Sequence, residues 1–334
     1  MLYFAAVMKN AARILAIVFG LAFLGATLLN ADLIGRSRKA LASGIFKDQS
    51  ALVARRYELV VVMPETDDSF FSGLLSGIMD RAAAADAAVQ VFRYPASSPD
   101  DAERYFDIAL RAKADGLIMY TPRNDPVAGR LEAAGKAGVV MIPVGTDAPA
   151  GGLPRFIGSS SLLQGFEGGR IICGKLGSSA RIGIILPASR EGDPRDEPIY
   201  KGVASAIMSF PGARISALIR GGQGLLSGEE SAASILHANP GINALFCTSA
   251  RDTIGAAQVV VDLNKVGKVM IVGADETPEI DRYIEKGVIQ ASIVRDSRRV
   301  GQEAVLAFMD IKAGRPARES IEVGFSLRSA RGIK

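Results

Sequence analysis

The sequence predicts an α/β fold of parallel, doubly wound sheets, preceded by one membrane-length apolar segment. Short apolar runs, each ending in a turn and followed by a helix-like stretch, recur over nearly the whole chain from Tyr57 onward. They lie at 59–63, 116–120, 139–144, 181–186, 215–219, 244–247, 269–273 and 290–294. Several are apolar throughout rather than alternating, as strands covered on both faces are. The third observation is capacity: 334 residues, 49% of them apolar, supply a large core for roughly two domains. Such sheets hold their ligands at the carboxyl ends of the strands.

Lys9 and Arg13 open the chain's first element, and the uncharged run from 14 to 29 continues to Ala31 before Asp32. That length spans a ~30 Å hydrocarbon core and exceeds a secretory h-region of ~7–15 residues. An uncleaved anchor is expected and a cleaved signal is the alternative. Ala26 and Ala31 could precede a cut, but neither has a small residue three positions earlier. Met8 offers a second start with a signal-like beginning. No cysteine follows the segment closely, which argues against a lipid-modified mature end. Arg36, Arg38 and Lys39 outweigh Lys9 and Arg13, and by the positive-inside rule they would place the body in the cytoplasm. The family resemblance set out below implies the opposite side, and that side is the one expected here. Residues 36–56 read as a polar linker.

The first lobe reads strand 59–63, helix 70–88, strand 89–92, helix 99–113, strand 116–120, helix 126–137 and strand 139–144. Helix 99–113 begins with Ser98 as a cap, Pro99 in the first turn, and Asp100, Asp101 and Glu103 at its positive end. Ala102, Phe106, Ala109 and Leu110 keep one apolar face. The second set reads helix 162–177, strand 181–186, helix 198–210, strand 214–219, helix 228–238, strand 244–247, helix 252–264, strand 269–273, helix 277–286 and strand 290–294. Helix 297–313 and a terminal strand at 320–326 complete it. No low-complexity hinge separates the sets, so short segments should cross between lobes.

Composition excludes several classes of function. The net charge of +4 is spread over 39 basic and 35 acidic residues without a basic stripe, which argues against nucleic acid. The single His237 sits at a helix end, where it complements the dipole, and general acid–base work would fall to carboxylates. Cys173 and Cys247 lie on core elements and have no metal-ligand spacing. The loop RGGQGLLSG (220–228) resembles a dinucleotide loop, but it follows several strands and lacks a ribose-binding acid, so a glycine-rich turn explains it better. No cofactor, metal or enzymatic activity is expected.

A family resemblance is carried by LVVVMPETDDSFF (59–71), ADGLIM (114–119), GVVMIPV (138–144), FIGS (156–159), ALFC (244–247), IVGADETP (271–278) and GVIQASI (287–293). From 57 to 325 the chain resembles the type I periplasmic binding proteins, closest to the ribose-binding group. The resemblance implies two Rossmann-like lobes joined by three crossovers, near 144–159, 293–296 and 319–323, closing on a ligand as a hinge. The expected N-terminal lobe is 57–150 plus 296–318, and the C-terminal lobe 159–294 plus 320–330.

The resemblance also implies site residues. Phe70 and Phe71 would stack on a sugar ring, with core packing as the other reading, chiefly for Phe71. Asp68 takes the place of a polar ligand contact, or caps a helix. Asp275 would accept bonds from ligand hydroxyls, its alternative being a helix cap. Thr121 and Ser249 stand where the family usually carries Asn. The family's Asp-Arg pair falls on Gly145 and Thr146, with Asp147 one place late. Its later Arg falls near Ile199, and its Asp after the first crossover becomes Ser160. Arg295 replaces a common Gln, and would pair with Asp275, hold an anionic ligand group, or form a hinge salt bridge. Arg190 and Arg195 of the charged loop 187–197 are weaker candidates.

The expected function is an extracytoplasmic solute-binding protein. It would capture a small polar ligand, a sugar or sugar-like molecule, between the lobes and present it to an ABC-type permease. The alternative is a membrane-tethered sensor or partner-binding subunit with a degenerate site. A DNA-binding regulator of this fold ranks last, because an apolar segment stands where its helix-turn-helix would be.

Overall fold

The computed structural model describes residues 56–330, except 67, 96–97, 99, 123–124, 126, 149–154, 187–191, 223, 225 and 317–318. The expected membrane segment, all but the last residue of the linker, Pro99 and Arg190 therefore lie outside the described residues. Among the described residues no helix is long and apolar enough to cross a membrane.

The first sheet begins with β1 (Tyr57–Glu65), α1 (Ser69–Ala84), β2 (Ala87–Pro95), α2 (Asp100–Arg111), β3 (Gly116–Tyr120), α3 (Val127–Ala137), β4 (Val140–Thr146) and β5 (Ile157–Ser159). The chain then crosses to α4 (Ser161–Leu176), β6 (Arg181–Leu186), α5 (Pro198–Ile207), β7 (Arg214–Arg220), α6 (Ser227–Ala238), β8 (Ala244–Cys247), α7 (Ala250–Asp262), β9 (Met270–Ala274), α8 (Pro278–Glu285) and β10 (Ile289–Arg295). It returns through α9 (Ser297–Lys312) and β11 (Ile321–Glu322) and ends on β12 (Phe325–Arg328). The sheet orders are β11-β5-β4-β3-β1-β2 and β12-β10-β9-β8-β6-β7, so the lobes repeat one topology. All pairings are parallel except β10 with β12.

Strand periodicity explains why β1 is apolar without interruption. Leu59, Val61 and Met63 join Phe70, Leu74, Ile78, Val300 and Phe308 in the core under α1 and α9. Val60 and Val62 point the other way, into the core with Phe106, Ala109 and Ala134. In the second lobe Ile182 and Ile184 pack with Ile172 and Val203, while Ile185 packs with Ile235 and Val260. Every central strand thus feeds two cores, each apolar side chain adding about 1.5–3 kcal/mol when fully buried.

The expected strand at 320–326 divides into two. β11 pairs with β5 in the first sheet and β12 with β10 in the second, so the last crossover passes through Val323 and Gly324. The sheets also place 157–159 and 321–322 in the first lobe, beyond the expected limits of 150 and 318. β5 escapes a sequence reading because it is three residues long and follows a turn-rich stretch. The crossovers lie side by side, since β5 neighbours β11 and β10 neighbours β12.

The helices following the first two crossovers are gripped by close helix contacts. α9 packs on α1, and α4 on α5. Glycine is the fifth residue of all four: Gly73, Gly301, Gly165 and Gly202. A Cβ on Gly301 would sit 2.2 Å from the Leu74 carbonyl oxygen, and one on Gly165 2.0 Å from that of Ile199. Only hydrogen fits there. A Cβ on Gly174, also in α4, meets nothing within 4 Å.

These contacts give opposite expectations for one substitution. Gly165→Ala should cost about 1–3 kcal/mol by forcing α4 off α5. Gly174→Ala should gain roughly 0.5–1 kcal/mol, because glycine loses more chain entropy on folding. Urea denaturation of both variants measures the difference.

A second expectation concerns Asp115, which ties β1 and α9 at one edge. It accepts from the Glu58 N–H (3.0 Å) and from Lys312 Nζ (2.7 Å). Partial burial works against the charge, but these bonds outweigh it and hold the carboxyl below its ordinary value. A depressed value contributes stability above the unfolded pKa of about 3.9, lost as pH falls through the folded value. Asp115→Asn should therefore flatten the acid limb of a stability–pH curve and leave its shape above pH ~5 unchanged.

Candidate ligand-binding site

The carboxyl ends of the two sheets meet at the crossovers, where the fold brings Asp68, Phe70, Asp275 and Arg295 into one cluster. Asp68 follows β1 and caps α1, its Oδ1 accepting from the Phe70 N–H at 2.9 Å. Arg295 ends β10 in the other lobe. Its Nε donates to Asp275 Oδ1 at 2.9 Å and its Nη2 to Asp275 Oδ2 at 2.7 Å. The same Nη2 reaches across to Asp68 Oδ1 at 2.9 Å. The guanidinium stands 5.0 Å over the centre of the Phe70 ring. Ser69 of α1 lies close enough to Asp275 to favour its charged form. One of these bonds, from Arg295 to Asp68, joins the lobes directly.

The aromatic residues continue the cluster. Phe70 meets Phe71 edge-to-face at 5.3 Å, and Phe71 meets Tyr120 likewise at 4.9 Å. Both phenylalanines are buried in the lobe core while Phe70 also carries the Arg295 contact. Thr146 lies close enough to the Tyr120 hydroxyl to favour its charged form. Thr121 is the residue expected from the sequence, and its neighbour Tyr120 is not. Thr121 is 0% exposed, and its Oγ1 donates back to the Met119 carbonyl at 3.1 Å, so its hydroxyl serves the lobe. The period-2 alternation of β3 carried the signal for Tyr120.

Burial tunes these groups. The Asp275 side chain is 5% exposed and that of Arg295 11%. Burial pushes the Asp275 carboxyl above its ordinary value, and the Arg295 guanidinium pulls part of the way back. Burial disfavours the Arg295 charge too, but Asp275 and Asp68 outweigh it and hold the guanidinium protonated. Burial likewise raises the Tyr120 phenol, with Arg295 opposing.

Other candidate residues have local work. The Ser249 hydroxyl accepts from the Asp252 N–H (3.1 Å), capping α7, and donates to Asp252 Oδ2 (2.7 Å). Asp147 accepts from the Ser161 N–H at 2.7 Å and lines a cavity of about 280 Å³ with Ser159, Ser160, Leu162, Pro198 and Glu322. That cavity flanks the crossovers rather than the Asp275–Arg295 cluster. Arg195 folds back on Asp193, and Ile199 is buried on α5. His237 lies in the last turn of α6, and both cysteines are buried thiols. Among the described residues no cluster of His, Cys, Asp and Glu is arranged for a metal.

Asp147 and Asp275 occupy equivalent places. Each follows the corresponding strand of its sheet with positive φ, 61° and 65°. Each N–H donates to the neighbouring strand, to Ser159 O at 2.8 Å and Ile293 O at 2.9 Å. Non-glycine residues held in this conformation cost free energy and gather at functional sites.

The family model for the periplasmic binding protein domain matches residues 59–316. The chain belongs to that family. The D-allose-binding periplasmic protein of Escherichia coli (strain K12) is 23% identical over 279 residues, covering 80% of this chain and 88% of that protein. GanP, a glucose-galactose binding protein from Geobacillus stearothermophilus, is 25% identical with a TM-score of 0.73, covering 83% of this chain and 98% of that one. A chain of the XylFII–LytSN complex is 25% identical with a TM-score of 0.71, covering 83% and 99%. The paired parallel-sheet lobes are those of a type I periplasmic binding protein.

Removing one partner of a buried ion pair leaves the other uncompensated, at a cost of ~3–5 kcal/mol. Asp275→Ala should show a loss toward the lower end of that range in chemical denaturation, because Asp68 still accepts from Arg295. Adding Arg295→Met removes the stranded charge and should recover part of it.

Proposed function

We propose that this protein is an extracytoplasmic solute-binding protein that captures a small neutral sugar, or a sugar-like molecule, between its lobes and presents it to an ABC-type permease. The observation that carries the reading is the juxtaposition of an aromatic group (Phe70, Phe71, Tyr120) with acceptors on both lobes (Asp68, Asp275) and the Thr146 hydroxyl. A sugar presents an apolar face and a ring of hydroxyls, and these are the groups that meet each. Two carboxylates against one guanidinium leave the cluster net negative, which disfavours sugar acids and sugar phosphates. The family is one of binding proteins, and the allose-binding and glucose-galactose-binding relatives support a sugar as the ligand.

A second reading, a membrane-tethered sensor or partner-binding subunit, is favoured by the bond that already joins the lobes and by the XylFII relative found with LytSN. Mass determination of the mature protein separates the two. A cleaved N-terminus fits a shuttling binder, and an intact one fits local sensing.

The main test is a thermal-shift screen of the purified full-length chain against neutral sugars, sugar acids and sugar phosphates. Ligand at a hundredfold Kd stabilises by about 2.7 kcal/mol, so the melting temperature should rise with a neutral sugar alone. Thr121→Val should keep that rise and Thr146→Val should diminish it. A screen without any shift would remove the sugar-binding reading.

A further inference from the structure

We propose that Arg295 is an internal occupant of the cleft that holds the lobes together in the absence of solute and thereby sets which solutes bind. The specificity half of this rests on the sugar-binding reading above; the latch half does not. The guanidinium does what a solute would do there. It lays a flat face over Phe70 at 5.0 Å and gives a fork of donors to Asp275 at 2.7 and 2.9 Å. It then reaches Asp68 on the opposite lobe at 2.9 Å. The grip is made of charge-assisted bonds; Arg295 and Asp275 are largely removed from water, where screening is weak and such bonds are strong, and the Asp68 side chain is 35% exposed.

A tethered group competes at an effective concentration on the order of millimolar, without the entropic cost that a free ligand bears. A solute that must part Arg295 from Asp68 binds only the fraction of molecules in which the pair is open, and its apparent affinity falls by that fraction. The net negative cluster gives an anionic solute no advantage in the competition. Arg295 thus selects for solutes that hold both lobes at least as well as it does, and it rejects weak ones that the aromatic face would otherwise admit. The Arg328–Asp281 pair, which lies within the second lobe alone, has no such role.

The test uses Arg295→Gln, which keeps a polar side chain but loses the charge and fork, and Asp68→Asn, which keeps the α1 cap because Asn caps as well as Asp. Arg328→Gln is the control for loss of an arginine–aspartate pair. Small-angle scattering of the full-length chain in detergent, without solute, should show both site variants more extended than wild type and the control unchanged. A neutral sugar found in the thermal screen should return the variants to the wild-type dimension. It should bind Arg295→Gln at least about tenfold more tightly, which corresponds to a wild-type open fraction near one in ten. Unchanged scattering in both site variants would overturn the latch. An extended Arg295→Gln variant that binds every tested sugar no better than wild type would leave the latch standing and overturn its role in selection. Extended variants in a protein that binds no sugar at all would support the latch and remove the sugar-binding reading instead.

Discussion

The close crossing of helices on glycine is the constraint from which the two-lobed form follows. α9 leaves β10 of the second sheet and is captured by α1 of the first lobe; α4 leaves β5 and is captured by α5 of the second. Each capture places backbone against backbone at the fifth residue of the helix, where a methyl group would meet a carbonyl oxygen at about 2 Å. A strand of one lobe thereby commits the helix that follows it to the other. The crossovers between are short, and their ends stay at the carboxyl edges of both sheets. Asp68, Asp275 and Arg295 meet because those edges do.

The cluster turns this architecture into chemistry. Asp68 both caps α1 and takes the Arg295 bond from the other lobe, so the cap reading and the site reading of that residue are the same fact. Phe70 similarly belongs to the core and to the cleft, burying most of its ring in the first lobe while carrying the guanidinium. Burial sets the sign of each electrostatic effect: it raises the Asp275 carboxyl, and it keeps the arginine charged only because carboxylates flank it. The equivalent aspartates after β4 and β9 share a strained backbone, and Asp275 pairs with Arg295. Asp147 accepts from the N–H of Ser161 at the start of α4.

Much of this was legible in the sequence because strand–helix alternation is a local signal. Runs such as 116–120, 181–186 and 244–247 coincide with β3, β6 and β8, since a strand buried on both faces writes itself as uninterrupted apolar residues. The resemblance offers pairing with Asp275 as one of three readings of Arg295, and that pair is present in the structure. What escaped notice depends on direction rather than composition. Tyr120 and Thr121 are adjacent, and the alternation of β3 sends Tyr120 against Phe71 while the Thr121 hydroxyl turns back to Met119. Ser249 reads as a polar contact until its hydroxyl is seen to cap α7 and bond the Asp252 side chain. β5 and β11 are too short to carry a period, and their pairing comes from strands far away in the chain. Ser69 carries no signal of its own beside Asp68.

The three crossovers lie next to one another, because β5 borders β11 and β10 borders β12. A single linker would leave two bodies free to bend, twist and slide. Three short links in a row act as a strap: bending about the line through them strains each link little, whereas twisting must stretch the outer links and sliding must shear all three. One soft degree of freedom remains. The motion is then prescribed by topology rather than by any solute, and whatever sits in the cleft decides only how far along that single path the lobes travel.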